Sequence, residues 1–150
     1  MTRSQRLKPI LNLAENREKD AARKLGEWRQ QLIHRQEKLN ELIQYRSEYH
    51  QSFQDKAVQG LHGRQINDYH SFLSGLELAI KKQRQQIQQT EVICEQMKQQ
   101  YLVRHKDTRV MDKVVERFRG DEQLQQRRDE QKETDEHALN MFRHKRHQYD

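Results

Sequence analysis

Apolar residues recur along this chain in alternating steps of four and three residues, and this spacing constrains the fold more than any other feature. Steps of this kind from Leu7 to Phe53 visit fourteen positions, of which eleven are apolar or aromatic. A seven-residue repeat predicts an α-helix with one apolar seam, as in a left-handed coiled coil. We label Leu7 a d position and Leu11 an a position of the heptad.

A second series with the same spacing begins at Tyr69 and weakens after Phe118. Its d positions are Tyr69, Leu76, Gln83, Thr90, Met97, Arg104, Met111 and Phe118. Its a positions are Leu73, Ile80, Ile87, Cys94, Tyr101, Thr108, Val115 and Glu122. The chain therefore contains two long segments with helical periodicity.

The composition excludes most other classes of protein. With 32% hydrophobic and 35% charged residues, the 150-residue chain is too polar for an ordinary globular core, and five Gly with one Pro are too few for a turn-rich β protein. We find no stretch of about 18 apolar residues for a membrane span, and no apolar segment after the basic start that would make a signal peptide. The single Cys94 excludes an intrachain disulfide and fits a reducing cytoplasm.

The best turn in the sequence lies at residues 59–64, where Gly60 and Gly63 stand close together. We predict helix 1 over about 5–56, a turn over about 57–64 and helix 2 over about 65–147. Pro9 is expected in the first turn of helix 1, where proline is tolerated. Because a short turn makes the helices antiparallel neighbours, the predicted fold is all-α: a long antiparallel two-helix coiled coil forming a single domain.

In an antiparallel pair the residue numbers of facing positions have a constant sum, and this sum defines the register. We predict a sum of 122, which places Phe53 opposite Tyr69 and Trp28 opposite Cys94. The same register pairs the charged residues Glu18 and Arg104, so neither is buried alone. Helix 1 then ends opposite about residue 118. Residues 119–150 are predicted to overhang and to fray until a partner binds them.

One flank of the predicted coiled coil is unusually apolar near the turn. Flanking e and g positions are normally charged, but the g positions here include Tyr45, Phe72 and Ala79. These residues lie beside the seam residues Leu42, Tyr49 and Leu76. The strip is either a binding surface, since aromatic residues are enriched at interfaces, or a local widening of the core.

Other candidate sites are weaker. His137, His144 and His147 have a spacing that can hold zinc, but we favour solvated histidines because this tail already carries several cationic residues. The basic residues at 143–147 could contact phosphate or anionic lipid, or only complement the helix dipole. We find no Gly-rich phosphate loop and no Ser/His/Asp or Cys/His arrangement, so we expect no enzyme activity, no metal and no cofactor. The chain has a net charge of +6, but its basic residues are mostly interleaved with acidic ones, so we expect no nucleic-acid partner.

Several segments, in this order and spacing, resemble the FliJ family of coiled-coil proteins from the bacterial flagellar type III export apparatus. The segments are residues 11–15 (LNLAE), 20–26 (DAARKLG), 39–49 (LNELIQYRSEY), 69–73 (YHSFL), 128–132 (RDEQK), and Asp135 with Glu136. The resemblance covers nearly the whole chain.

The resemblance implies a stalk-like coiled coil that binds the hexameric export ATPase, the cytoplasmic domain of the export-gate protein FlhA, and export chaperones. The implied gate-binding residues are Leu42, Tyr45, Tyr49, Phe72, Leu76 and Ala79. The implied ATPase-ring contacts are Leu7, Leu11, Ala14, Met111, Val115 and Phe118. The implied location is the cytoplasm, with peripheral attachment to the membrane at the flagellar base through these partners.

Three alternatives remain open. A homodimeric scaffold of extended chains is disfavoured because Gly60 and Gly63 would weaken a continuous helix. A nucleic-acid-binding coiled coil is disfavoured by the interleaved charges. The stalk of a virulence-type secretion system would have a similar composition.

Overall fold

The computed structural model describes residues 1–149, and their side chains as far as residue 148. It contains two helices, α1 over Arg3–Val58 and α2 over Gly63–Tyr149, and the described residues include no strand. The predicted all-α fold of two long helices packed against each other is confirmed. Each helix extends about two residues further at both ends than the bounds expected from the sequence. Asp150, the last residue of the predicted overhang, lies outside the described residues.

The helix α1 begins early because its first turn carries a reciprocal cap. The backbone N–H of Thr2 donates to Oε1 of Gln5 at 3.1 Å, and the backbone N–H of Gln5 donates to Oγ1 of Thr2 at 3.3 Å. This is a capping box, in which the residues before and within the first turn satisfy each other's free N–H groups. Pro9 is therefore the seventh residue of α1 and not, as expected, part of its first turn.

The turn between the helices depends on Gly60, which has a φ of 93°. A left-handed conformation of this kind favours glycine because a Cβ would clash with the backbone. The next helix starts at once: the backbone N–H of His62 donates to Oε1 of Gln65 at 3.0 Å, and Gly63 is the first residue of α2. Of the two glycines expected in the turn, only Gly60 lies outside a helix.

The contacts divide the chain into two compact units. Unit 1 contains residues 1–18 and the part of α2 from Arg104 onward, and unit 2 contains residues 19–103. Each unit pairs a piece of α1 with a piece of α2.

In unit 2 every predicted a and d position is buried or half-buried, from residue 21 to 53 on α1 and from 69 to 101 on α2. The rings of Phe53 and Tyr69 stack with their centroids 3.6 Å apart. These two residues were expected to face each other, so their contact confirms the predicted register. The helices pair within one chain, in contrast to the extended homodimer considered above.

Unit 1 continues the same register, with one exception. The Oγ1 of Thr108 donates to the main-chain oxygen of Ala14 at 3.2 Å, and these residue numbers also add to 122. The expected pair of Glu18 with Arg104 is wrong: Nδ1 of His105 lies 2.7 Å from Oε1 of Glu18, and Arg104 is exposed. The shorter imidazole reaches the half-buried carboxylate, while the guanidinium remains in water, where its charge costs least.

Beyond Glu122 the helix α2 has no covering element, and residues 123–148 are all exposed. The structure differs from the expected fraying, because this tail is helical to Tyr149. Side-chain bonds one turn apart support it: Gln125 donates to Asp129 at 3.1 Å and Gln126 to Glu130 at 3.3 Å. Such pairs, together with Gln, Glu, Lys and Arg as good helix formers, favour the helix locally.

Candidate interaction surfaces

A cluster of aromatic rings lies on the predicted apolar flank of unit 2. The ring of Phe72 is 4.3 Å from that of Tyr49 and 5.8 Å from that of Tyr45, the second in an edge-to-face arrangement. Tyr45 and Tyr49 are 6.4 Å apart. We call Tyr45, Tyr49 and Phe72 the aromatic strip. Its rings brace each other within the distances at which aromatic pairs attract.

The strip is held from beneath by a buried layer at Tyr69. The ring of Tyr69 stacks on Phe53 and lies 5.4 Å from Tyr49, nearly parallel to it. Its hydroxyl shares a hydrogen bond with Nδ1 of His50 at 2.7 Å, so the buried phenol has a partner. The layer fixes Tyr49, which in turn contacts Phe72.

The six residues of the expected gate-binding surface differ in exposure. Leu76 is buried, whereas Leu42, Tyr49 and Ala79 are half-buried. Tyr45 and Phe72 remain 49% and 40% exposed although their rings touch. The rings therefore widen the core and also present apolar surface to solvent.

The six residues expected to contact an ATPase ring lie along the seam of unit 1. Leu11 and Val115 are buried, the latter at 1% exposure, and Leu7, Ala14, Met111 and Phe118 are half-buried. The guanidinium of Arg3 lies over the ring of Phe118, 5.8 Å from its centroid. Leu11 and Val115 hold α1 and α2 together and present almost no surface to a partner.

Unit 1 has an exposed aliphatic group that the sequence analysis did not single out. Ile10, Leu13 and Val110 are each about half exposed, and we call them the aliphatic patch. Ile10 is at a g position, and Leu13 and Val110 are at the adjoining c positions. Extending the search for apolar flank residues to the ends of the helices would have found Ile10, but not Leu13 or Val110, because c positions are not flanks of the seam.

The carboxylate of Glu122 caps the start of α1 from the facing helix. Its Oε1 accepts a hydrogen bond from the backbone N–H of Ser4 at 3.0 Å, and its Oε2 accepts one from the hydroxyl of Ser4 at 2.6 Å. These hydrogen bonds lower the pKa of Glu122 from its ordinary value of 4.5. An anion here also complements the positive end of the α1 dipole.

The hydrogen bond from His105 likewise lowers the pKa of Glu18, although desolvation of the carboxylate opposes the shift. Cys94 is a half-buried free thiol. No group of three or more His, Cys, Asp or Glu among residues 1–149 is placed to hold a metal ion. No helix in the described part of the chain has the length and apolar character needed to cross a membrane.

The chain matches the family model described as flagellar FliJ protein over residues 3–147. The chain belongs to the FliJ family. Among curated relatives, the flagellar FliJ protein of Escherichia coli (strain K12) is 36% identical over 83 residues, which is 55% of this chain and 56% of that protein. The flagellar FliJ protein of Salmonella typhi is 35% identical over an alignment of the same coverage. These alignments span little more than half the length of each relative. No solved structure matches the chain.

Membership of the FliJ family confirms the resemblance seen in the sequence motifs, and it favours the flagellar over the virulence-type alternative. It supports a role as a component of flagellar protein export.

Proposed function

We propose that this FliJ-family chain is a non-enzymatic, cytoplasmic component of the flagellar export apparatus that binds the hexameric export ATPase and the cytoplasmic domain of FlhA. In this proposal the aromatic strip of unit 2 binds FlhA, and unit 1 contacts the ATPase ring. The protein would reach the membrane at the flagellar base through these partners, and export chaperones are a further class of partner.

The observation that carries the FlhA part of the proposal is the exposure of Tyr45 and Phe72. Both rings contact Tyr49, yet the two residues remain 49% and 40% exposed. Rigid, partly exposed aromatic rings are well suited to act as interface anchors, because little side-chain freedom is lost on binding.

The test is the affinity of the full chain for the isolated cytoplasmic domain of FlhA, measured by calorimetry. Truncation of an anchoring aromatic residue typically costs about 1–2 kcal/mol of binding, so Tyr45→Ala with Phe72→Ala should weaken binding at least tenfold, roughly. The matched control is Leu78→Ala with Val92→Ala, since both are exposed in unit 2 and occupy f positions of the heptad rather than g. Unchanged affinity in a strip variant that is still helical would reject the assignment.

The ATPase part of the proposal rests on the aliphatic patch rather than on the seam. Because Leu11 and Val115 are buried, a ring that contacts unit 1 must meet its exposed residues. Ile10, Leu13 and Val110 supply apolar surface there. We therefore propose the aliphatic patch as the contact, with the expected seam residues Leu7, Leu11, Ala14, Met111, Val115 and Phe118 supporting it from behind.

This contact is tested by ATP turnover of the cognate export ATPase while ring assembly is followed by light scattering. The chain should increase both signals, and Ile10→Ser with Leu13→Ser should remove most of the increase. Val92→Ser, an exposed aliphatic substitution in unit 2, is the control. Full stimulation by the patch variant would exclude the patch, and no stimulation by the unmodified chain would exclude the ATPase assignment itself.

A further inference from the structure

The last turns of α2 combine exposed apolar side chains with a net positive charge. Residues 137–148 contain no acidic residue and hold Arg143, Lys145 and Arg146. Leu139, Met141 and Phe142 in the same segment are more than half exposed, with Phe142 at 66%. We call residues 137–148 the basic end. Complementing the helix dipole explains the cations at this position but not the exposed apolar residues.

The apolar residues of the basic end occupy one side of the helix. At 100° per residue, Met141, Ala138, Phe142 and Leu139 follow one another across an arc of about 160°. Arg143 comes one turn after Leu139, at the edge of the apolar side, and His147 projects from the opposite side of the helix. Lys145 lies one turn after Met141, and Arg146 lies one turn after Phe142. Both cations therefore stand next to an apolar residue on the apolar side of the helix.

This arrangement suits a flat interface between apolar chains and anionic headgroups. Apolar side chains can enter such an interface while Lys and Arg extend their charged ends to the headgroups. A protein groove that grips a helix by a narrow apolar stripe would instead have to bury the two cations. Nucleic acid would pair with the cations but would gain little from Leu139 and Met141.

The segment before the basic end limits where such a surface can bind. Residues 129–136 are strongly acidic. Their only cation is Lys132, against the carboxylates of Asp129, Glu130, Glu133, Asp135 and Glu136. An anionic surface repels this acidic stretch, so contact is confined to about three turns of helix.

We propose that the basic end binds the surface of anionic phospholipid bilayers directly. This contact goes beyond the proposed protein partners and needs neither of them. The exposed apolar side of the helix lies in the interface, and the three cations neutralise lipid phosphates. Since the binding is weak and reversible, it places the chain at the membrane without inserting it.

The test is co-sedimentation of the full chain with vesicles of phosphatidylcholine, with or without about 30% phosphatidylglycerol. We expect binding only to the anionic vesicles and a clear loss of binding as salt rises. Each basic residue near an anionic surface contributes roughly a five-fold factor in affinity, so replacing Arg143, Lys145 and Arg146 with Gln should weaken binding about a hundredfold. The matched control replaces Arg127, Arg128 and Lys132 with Gln, which removes the same charge from an earlier part of the same tail.

A second variant separates lipid from purely ionic partners. Leu139→Ser with Phe142→Ser keeps every charge and should weaken vesicle binding at least tenfold, with helix content checked by circular dichroism. Binding that is equal on neutral and anionic vesicles, or equal losses in the basic-end and control variants, would overturn the proposal. The proposal would also be overturned if an oligonucleotide duplex displaced the chain from vesicles and the serine variant bound vesicles as well as the unmodified chain does.

Discussion

A buried polar layer in the middle of the unit 2 seam offers the sharpest test of what sets the helix register. Gln83 is only 5% exposed and occupies a d position between Ile80 and Ile87. Its Nε2 donates to the main-chain oxygen of Arg35 at 2.9 Å. The guanidinium of Arg35 donates to Oγ1 of the buried Thr90. We predict that Gln83→Leu stabilises the hairpin but weakens control of its register.

The size of the gain follows from the contacts that change. Leucine has nearly the volume of glutamine, and burying its side chain contributes about 2 kcal/mol. The lost hydrogen bond to Arg35 contributes about 1 kcal/mol, net of water. The main-chain oxygen of Arg35 lies inside α1 and keeps its helical partner, so no buried acceptor is left unsatisfied. The free energy of unfolding should therefore rise by about 1 kcal/mol.

The assay is urea unfolding followed by far-ultraviolet circular dichroism. Gln88→Leu is the matched control, because it makes the same chemical change on an exposed position of α2. Its effect should stay within about 0.5 kcal/mol. A Gln83→Leu chain that unfolds more easily by about 1 kcal/mol or more would show that the hydrogen bond outweighs the apolar burial, and would refute the reasoning.

The predicted loss of register control can be measured by disulfide formation with the native Cys94. By the sum of 122, a cysteine in place of Trp28 faces Cys94 in the native register, whereas one in place of Ala21 faces it after a slip of one heptad. Polar residues at seam positions specify register at a cost in stability. Under mild oxidation we expect Gln83→Leu to increase the disulfide yield at position 21 relative to position 28. An unchanged ratio would show that Gln83 does not control the register.

Three further predictions concern unit 1. Val115→Ala should lower the free energy of unfolding by about 1–2.5 kcal/mol, because it leaves a cavity at a fully buried site, whereas Val110→Ala at an exposed site should change it by less than about 0.5 kcal/mol. The pKa of Glu122 is lowered in the folded chain, so the stability contributed by its cap on α1 is present above the ordinary value of 4.5 and is lost as the pH falls through the lower folded value. The amide of Ser4 should therefore lose protection from hydrogen exchange over that pH range. The substitution Glu122→Gln should abolish this pH dependence. Thr2→Ala should cost the first turn of α1 about 1 kcal/mol, seen as faster exchange of the Gln5 amide. Equal effects of the two valines, a pH step that survives in Glu122→Gln, or unchanged exchange at Gln5 would contradict these assignments.

The heptad spacing was sufficient to predict the seam because burial in a two-helix pair depends mainly on position along the repeat. Arg35 and Arg46 are half-buried as their seam positions require, although they are charged. Arg104 is the exception, since the neighbouring His105 can reach Glu18 with a shorter side chain. Spacing alone cannot decide between two adjacent basic residues, because that choice depends on reach and solvation.

The ends of the helices were harder to predict than their interiors. The sequence does contain the capping signal Thr-x-x-Gln at Thr2, but a search for apolar spacing passes over it. The sequence does not show whether Gly63 lies in the turn or at the first position of α2, since glycine is compatible with both places. Only the positive φ of Gly60 distinguishes the two.

The flank positions offer a partner more accessible apolar surface than the seam does. In unit 1 the seam residue Val115 is buried and the flank residue Ile10 is exposed; in unit 2 the same holds for Leu76 and Tyr45. A partner that bound through the seam would have to separate the helices, with the loss of the apolar burial that pairs them. A partner that binds through g and c positions leaves that pairing intact. Surfaces for partners of a two-helix coiled coil are therefore best sought among apolar residues that the heptad repeat does not require.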